Sequence, residues 1–244
     1  MAERTYTREE YLYLAKLYER AEKFDDMVKW INKFVELDPN LSNDEKNILS
    51  AGYKNVISPK RASWRLLNSL EKKEEKKNSA NLTYLQEIKR RVEDEMRRIC
   101  DDVQNTLDKF LIPHSKDFET KVFFLKLKGD YFRYRAEFTS DEEHISATDS
   151  AEKAYREAYE ISEKNLPIST SIRLGLALNF SVFYYEIRGQ KDEACNIAKA
   201  AFEESMKILD DLERIKAKDT ILIIQLLKEN LILWNNEIND EEEA

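Results

Sequence analysis

Apolar residues return every third or fourth position along almost all of this chain, and strict alternation bounded by glycine-rich turns never appears. A strand repeats every two residues and a helix every 3.6, so this pattern directs the chain toward helices and away from sheets. Only four glycines and four prolines punctuate the 244 residues. A chain so poor in turn formers spends its length in helices joined by short connections. The resulting expectation is an all-α protein, with nine helices stacked antiparallel as hairpins in a single domain over residues 1–236. Residues 237–244 are expected to form an acidic, disordered tail.

Local signals place the helices. Thr7, with Glu10 three residues on, makes a capping box for the first. Phe24, Met27, Val28, Ile31 and Val35 share a face of the second. The third opens at Ser42 with Glu45, and Pro59 inside it is expected to bend it or break its ladder. Leu85, Ile88, Val92, Met96, Ile99 and Val103 carry the fourth as far as Pro113. The fifth contains KGDYFRYRAEF, residues 128–138, and Ser150 to Lys164 forms the heart of the sixth. The seventh runs from Ser171 to Arg188, with Gly189 at its C-cap. Asp192 to Leu212 and Asp219 to Asn236 make the last two. EKKEEKKNSAN and the stretch from Thr139 to His144 read as polar connections.

Charge and motif content exclude several functions. With 48 acidic and 40 basic side chains the formal net charge is −8, which argues against a nucleic-acid partner. The longest nearly apolar run, LGLALNFSVFYY, is about a dozen residues long where a bilayer span needs about 20, so no membrane insertion is expected. The charged start MAERTYTREEY is not a signal peptide. Cys100 and Cys195 lack Cys or His partners at metal spacing and read as reduced thiols of a soluble, intracellular protein. His114 and His144 have no nucleophile pattern nearby, and no glycine-rich phosphate loop occurs. No catalytic residue, metal site or cofactor is expected.

Helical geometry, at about 100° per residue, groups the remaining polar residues. Lys126, Asp130, Arg133 and Tyr134 share one face of the fifth helix, and Arg135 points to the opposite side. Lys54 and Arg61 share a stripe of the third. Leu178, Asn179, Val182 and Glu186 present together on the seventh, and Leu222, Ile223, Leu226 and Asn230 on the ninth, with Trp234 a further turn on. If such walls lined one concavity, they would suit an extended peptide bearing a dianionic group. Lys and Arg would meet the phosphate oxygens, Tyr134 would add a hydroxyl, and Asn179 and Asn230 would clamp peptide backbone. Asp130 would hold a neighbouring cation. The same spacings also describe a solvated charged face and ordinary core stripes, and spacing alone leaves these readings open.

Two stretches narrow the choice. KNILSAGYKNVISPKRASWRLL, residues 46–67, and RLGLALNFSVFYYEI, residues 173–187, closely resemble signature segments of the 14-3-3 family. FLIPHS, KVFFLKLKGDYFRYRAE and LIIQLLKENLILW resemble further family blocks in the same order, from about Thr7 to Trp234. The resemblance implies a nine-helix protomer with an amphipathic groove, paired in a cup-shaped dimer. It implies a non-enzymatic adaptor that binds phosphoserine or phosphothreonine motifs of client proteins and regulates their activity, localisation or assembly. The phosphate pocket it implies is Lys54, Arg61, Arg133 and Tyr134. The implied groove is Lys126, Asp130, Leu178, Asn179, Val182, Glu186, Leu222, Ile223, Leu226, Asn230 and Trp234.

For the dimer the resemblance implies Leu17, Ala21, Ser63, Leu66 and Leu67 at the boundary, with Lys23 facing Glu95 and Asp26 facing Arg91 across it. Arg91 and Glu95 also have the spacing of an ordinary i, i+4 pair within one helix. The implied partners are phosphorylated clients and either a second copy or a paralogue. The implied location is cytoplasmic, extending to the nucleus through clients. The alternative is a tetratricopeptide-like helical scaffold that binds unmodified peptide segments.

Overall fold

Both expected capping boxes form in the computed structural model, which describes residues 5–77, 80–214 and 217–242. Thr7 Oγ1 accepts from the Glu10 backbone N–H at 3.2 Å, and Glu10 Oε2 accepts from the Thr7 N–H at 2.8 Å. Ser42 and Glu45 repeat the arrangement at 3.3 and 2.8 Å. The boxes start α1 (Arg8–Arg20) and, after α2 (Phe24–Leu37), α3 (Asn43–Lys76). Next comes α4 (Leu82–Thr106), which closes in a π-helical turn over Leu107–Leu111.

These elements form one compact unit, Met1–Ser115. Met27, Ile31 and Phe34 of α2 are fully enclosed, as are Leu49 and Ile57 of α3 and Met96 and Cys100 of α4. Apolar burial of this kind is the main stabilising term, about 1.5–3 kcal/mol for each large side chain. One polar network crosses that core. The Tyr53 hydroxyl bonds Asn32 Oδ1 and Asp102 Oδ2, each at 2.8 Å, and Asn32 Nδ2 donates to Asp102 Oδ2 at 2.8 Å. Buried polar groups are tolerated when they are partnered in this way.

The second unit, Lys116–Ala244, contains α5 (Phe118–Phe138), α6 (Asp141–Asn165), α7 (Ser171–Phe183), α8 (Lys191–Met206), α9 (Leu209–Arg214) and α10 (Lys218–Glu242). A π-helical turn, Tyr184–Arg188, extends α7 and ends at Gly189, whose φ of +65° is the left-handed value expected of a glycine cap. Helix α5 packs on α6 and α7, and α10 packs on α7 and α8. Tyr131, Tyr155, Phe180, Phe183 and Tyr184 fill the space between α5, α6 and α7. Among the described residues there is no strand, as the periodicity requires.

The boundaries differ from the sequence expectation in four places. Helix α3 passes Pro59 without interruption and continues through EKKEEK, so the polar connection shrinks; residues 78 and 79 of it lie outside the described residues. The expected loop from Thr139 to His144 is only Thr139 and Ser140. Helix α6 begins at Asp141 because three acids fill its first turn, complementing the helix dipole, and Arg135 of α5 grips Glu143. The expected eighth helix divides into α8 and α9. Lys207 and Ile208 bond back to Glu204 and Ser205, three residues away, which tightens and ends the turn. This break raises the expected nine helices to ten among the described residues. Finally, α10 runs past Asn236 to Glu242, well into the segment expected as a tail; residues 243 and 244 lie outside the described residues. The Tyr185 hydroxyl donates to Glu237 on that extension.

Candidate functional site

The face of α5 grouped by helical spacing is a connected polar cluster centred on Asp130. Lys126 Nζ lies 2.8 Å from Asp130 Oδ2, and Arg133 Nη2 lies 3.6 Å from Oδ1. Asn179 of α7 donates its Nδ2 to the same Oδ1 at 2.8 Å. One carboxylate therefore orders Lys126, Arg133 and Asn179 together. Asp130 and Arg133 are 5% and 7% exposed, so neither could stay charged there without the other groups. Burial alone would raise the Asp130 carboxyl. Lys126 and Arg133 beside it, with hydrogen bonds from Lys126 and Tyr155, hold it below the ordinary aspartate value instead.

Tyr155 is the member of this cluster that the sequence reading missed. Its hydroxyl donates to Asp130 Oδ1 at 2.5 Å and accepts from Arg133 Nε at 3.1 Å. Burial, with Asp130 next to it, pushes the hydroxyl well above the usual phenol range and keeps it protonated. Burial also opposes the Arg133 cation, but Tyr155, Tyr134 and Asp130 outweigh it and raise that cation's pKa well above the usual arginine value. Gly129 makes room for this arrangement. A Cβ there would sit 2.7 Å from the Tyr155 ring, closer than any real contact. An isolated glycine inside a helix costs about 1 kcal/mol against alanine, so a glycine at this position is a signal by which close packing against α5 could have been found.

Arg135 behaves as its place on the helix predicts. Its Nε and Nη2 bond Glu143 Oε1 at 3.0 and 2.9 Å, on the α5–α6 corner and away from Asp130. Tyr134 is half-buried, and the Arg133 guanidinium lies 4.8 Å from its ring centre.

Beside the cluster runs an apolar surface. A Cβ on Gly175 of α7 would lie 3.7 Å from Ile223 Cδ1 of α10 and 3.8 Å from Lys126 Cε, which brings the three helices to one place. Leu178 and Val182 are half-buried, while Leu222 and Leu226 are 55% and 38% exposed. Asn230 is half-buried and Glu186 exposed. Trp234 is 4% exposed and stacks on Tyr185 with ring centres 4.6 Å apart, so little of its ring faces outward.

In the first unit Lys54 is exposed and Arg61 half-buried, both on α3. Of the residues expected at a subunit boundary, Leu17 and Leu66 are exposed, as are Ala21, Lys23 and Ser63, while Leu67 is half-buried. Their charged companions have partners within the chain. Glu95 meets Lys60 at 2.8 Å, Arg91 meets Glu87 at 2.5 Å and Asp26 meets Lys29 at 2.8 Å.

No group of His, Cys, Asp and Glu suited to a metal ion occurs among the described residues, and no helix there is long and apolar enough to cross a membrane. Neither Cys100 nor Cys195 is in a disulfide, and the first is buried and the second half-buried.

The sequence model of the family described as 14-3-3 protein matches residues 14–235. The chain is 48% identical over 235 residues to the 14-3-3-like protein GF14 epsilon of Arabidopsis thaliana, covering 96% of this chain and 92% of that one. It is 46% identical over 237 residues to 14-3-3 protein 3 of Entamoeba histolytica, covering 97% and 99%. With the 14-3-3 protein homolog of Trichoderma harzianum it shares 47% over 229 residues, covering 93% and 87%. A match of this extent in sequence, on an all-helical fold, establishes that the chain belongs to the 14-3-3 family, whose members are non-enzymatic adaptors.

Proposed function

We propose that this protein is an adaptor for phosphoserine- and phosphothreonine-containing segments of client proteins, acting in the cytoplasm as a dimer with itself or a paralogue. The observation that carries the reading is the buried Arg133, held by Asp130 and Tyr155 beside Lys126 and Asn179, next to the partly exposed leucines of α10. A phosphorylated side chain brings about −1.5 to −2 charges and three acceptor oxygens, which Arg and Lys bind through charge-assisted bonds. Lys126 and Arg133 against Asp130 sum to one positive charge, too few for a dianion. Lys54 and Arg61 are proposed to add two further positive charges, with Tyr134 adding a hydroxyl. Asn179 keeps its carbonyl oxygen and a second N–H for peptide backbone, and Asn230 is proposed to do the same.

The dimer reading is supported by apolar side chains that one chain leaves open. Tyr13, Leu17, Leu66, Tyr84 and Ile88 are between 40% and 69% exposed. The test of function is capture of partners from a lysate divided into phosphatase-treated and untreated halves, read by mass spectrometry. Partners should be retained from the untreated half and lost from the treated one. Equal retention would favour a scaffold for unmodified peptides.

A further inference from the structure

Tyr155 lies on α6, 22 residues beyond Arg133, and its hydroxyl touches both members of the Asp130–Arg133 pair. A guanidinium can meet an oxyanion in two ways: side-on, through Nε and one terminal nitrogen, or end-on, through both terminal nitrogens. Here Nε is already committed to Tyr155 Oη at 3.1 Å, and neither terminal nitrogen makes a hydrogen bond among the described residues. We infer that Tyr155 is a positioning residue, which turns Arg133 so that a phosphate is received end-on, by Nη1 and Nη2. The inference rests on the phosphate-binding reading above and names how one of its residues is set.

The hydroxyl is firmly placed. Its ring is fully buried between Phe180 and Phe183, with centres 5.5 and 5.6 Å away, and the bare backbone of Gly129 fills the remaining side. Donation to Asp130 at 2.5 Å fixes the direction of the hydroxyl proton, which leaves an oxygen lone pair for Arg133 Nε. The Tyr134 ring lies 4.8 Å from the guanidinium carbon, within the range at which an aromatic face attracts a cation. Rotation of Arg133 into a side-on approach would break its bond to Tyr155.

Tyr155→Phe keeps the ring and removes the hydroxyl. Two readings are taken on wild type and variant: titration with a phosphoserine peptide, and the solvent-exchange rate of the Arg133 Nε proton by NMR. The variant should bind about two- to tenfold more weakly, the scale of one net hydrogen bond, and its Nε proton should exchange faster. If wild type binds the peptide and the variant matches it in affinity and exchange rate, the positioning role is overturned while phosphopeptide binding stands. If wild type binds no phosphopeptide, the functional reading fails and the inference falls with it. Inorganic phosphate added to wild type provides an arm that needs no variant. The Arg133 terminal-nitrogen signals should move and the Nε signal stay, and a larger movement at Nε would overturn end-on reception.

Discussion

Arg133 and Arg135 stand two positions apart in α5 and are predicted to respond to alanine in opposite ways. Arg133→Ala takes a buried cation from Asp130, which keeps Lys126 at 2.8 Å, Tyr155 at 2.5 Å and Asn179 at 2.8 Å. Because those partners remain and the lost pairing is the longest at 3.6 Å, the stability cost should fall at the low end for a broken buried pair, about 3 kcal/mol or less. Binding should suffer more. Removing one partner of a buried charge-assisted contact costs about 2–5 kcal/mol, roughly thirty-fold to several-thousand-fold in affinity. Arg133→Lys should also be costly, because an ammonium cannot hold Tyr155 and present two nitrogens at once. Arg135→Ala loses the part-buried pair with Glu143, worth about 1 kcal/mol of stability or less, and should change binding by less than about twofold. Calorimetric titration of both variants with one phosphopeptide, after circular dichroism has shown each folded, makes the comparison. Equal losses would refute the separation of faces on α5.

Gly129→Ala should destabilise the protein by about 1–3 kcal/mol in urea, since its Cβ meets a packed ring at 2.7 Å; an unchanged midpoint would show that Tyr155 can yield. Asp130 has a folded-state pKa below its unfolded value, so its contribution is fully present above about pH 4 and is lost as pH falls through the folded value. The stability gap between wild type and Asp130→Asn should thus be flat from pH 7 to about 5 and shrink below about 4, and a gap that widens in acid would contradict this. Ser63→Glu adds charge to the proposed subunit boundary and should shift low-micromolar protein toward monomer in sedimentation velocity; an undiminished dimer would count against that boundary.

The grouping of Lys126, Asp130 and Arg133 was legible in the sequence because all three lie on one helix, where spacing determines the face. Tyr155 was not, because it comes from another helix and sits in AYREAYEIS, where it reads as one more core aromatic. Gly129, a glycine inside α5, is the residue whose type could have pointed across to it. Helix starts were legible where a capping box marked them, at Thr7 and Ser42. The start of α6 was hidden because Asp141 has a φ of +51° and the Arg135–Glu143 pair joins residues from both sides of the corner. The division of α8 from α9 depends on back-bonding to Glu204 and Ser205, for which no residue type in that stretch is a signal. The pairing of Glu95 with Lys60 was likewise invisible, since it joins two helices through residues 35 positions apart.

Dependence on phosphate is decided most directly by titrating the purified protein with two peptides of one sequence, phosphorylated and unphosphorylated at a single serine, under identical salt. The phosphorylated peptide should bind at least about thirty-fold more tightly, as expected when about 2 kcal/mol or more comes from the phosphate contacts. Equal affinities for the two peptides would contradict a phosphate-reading site built on Arg133.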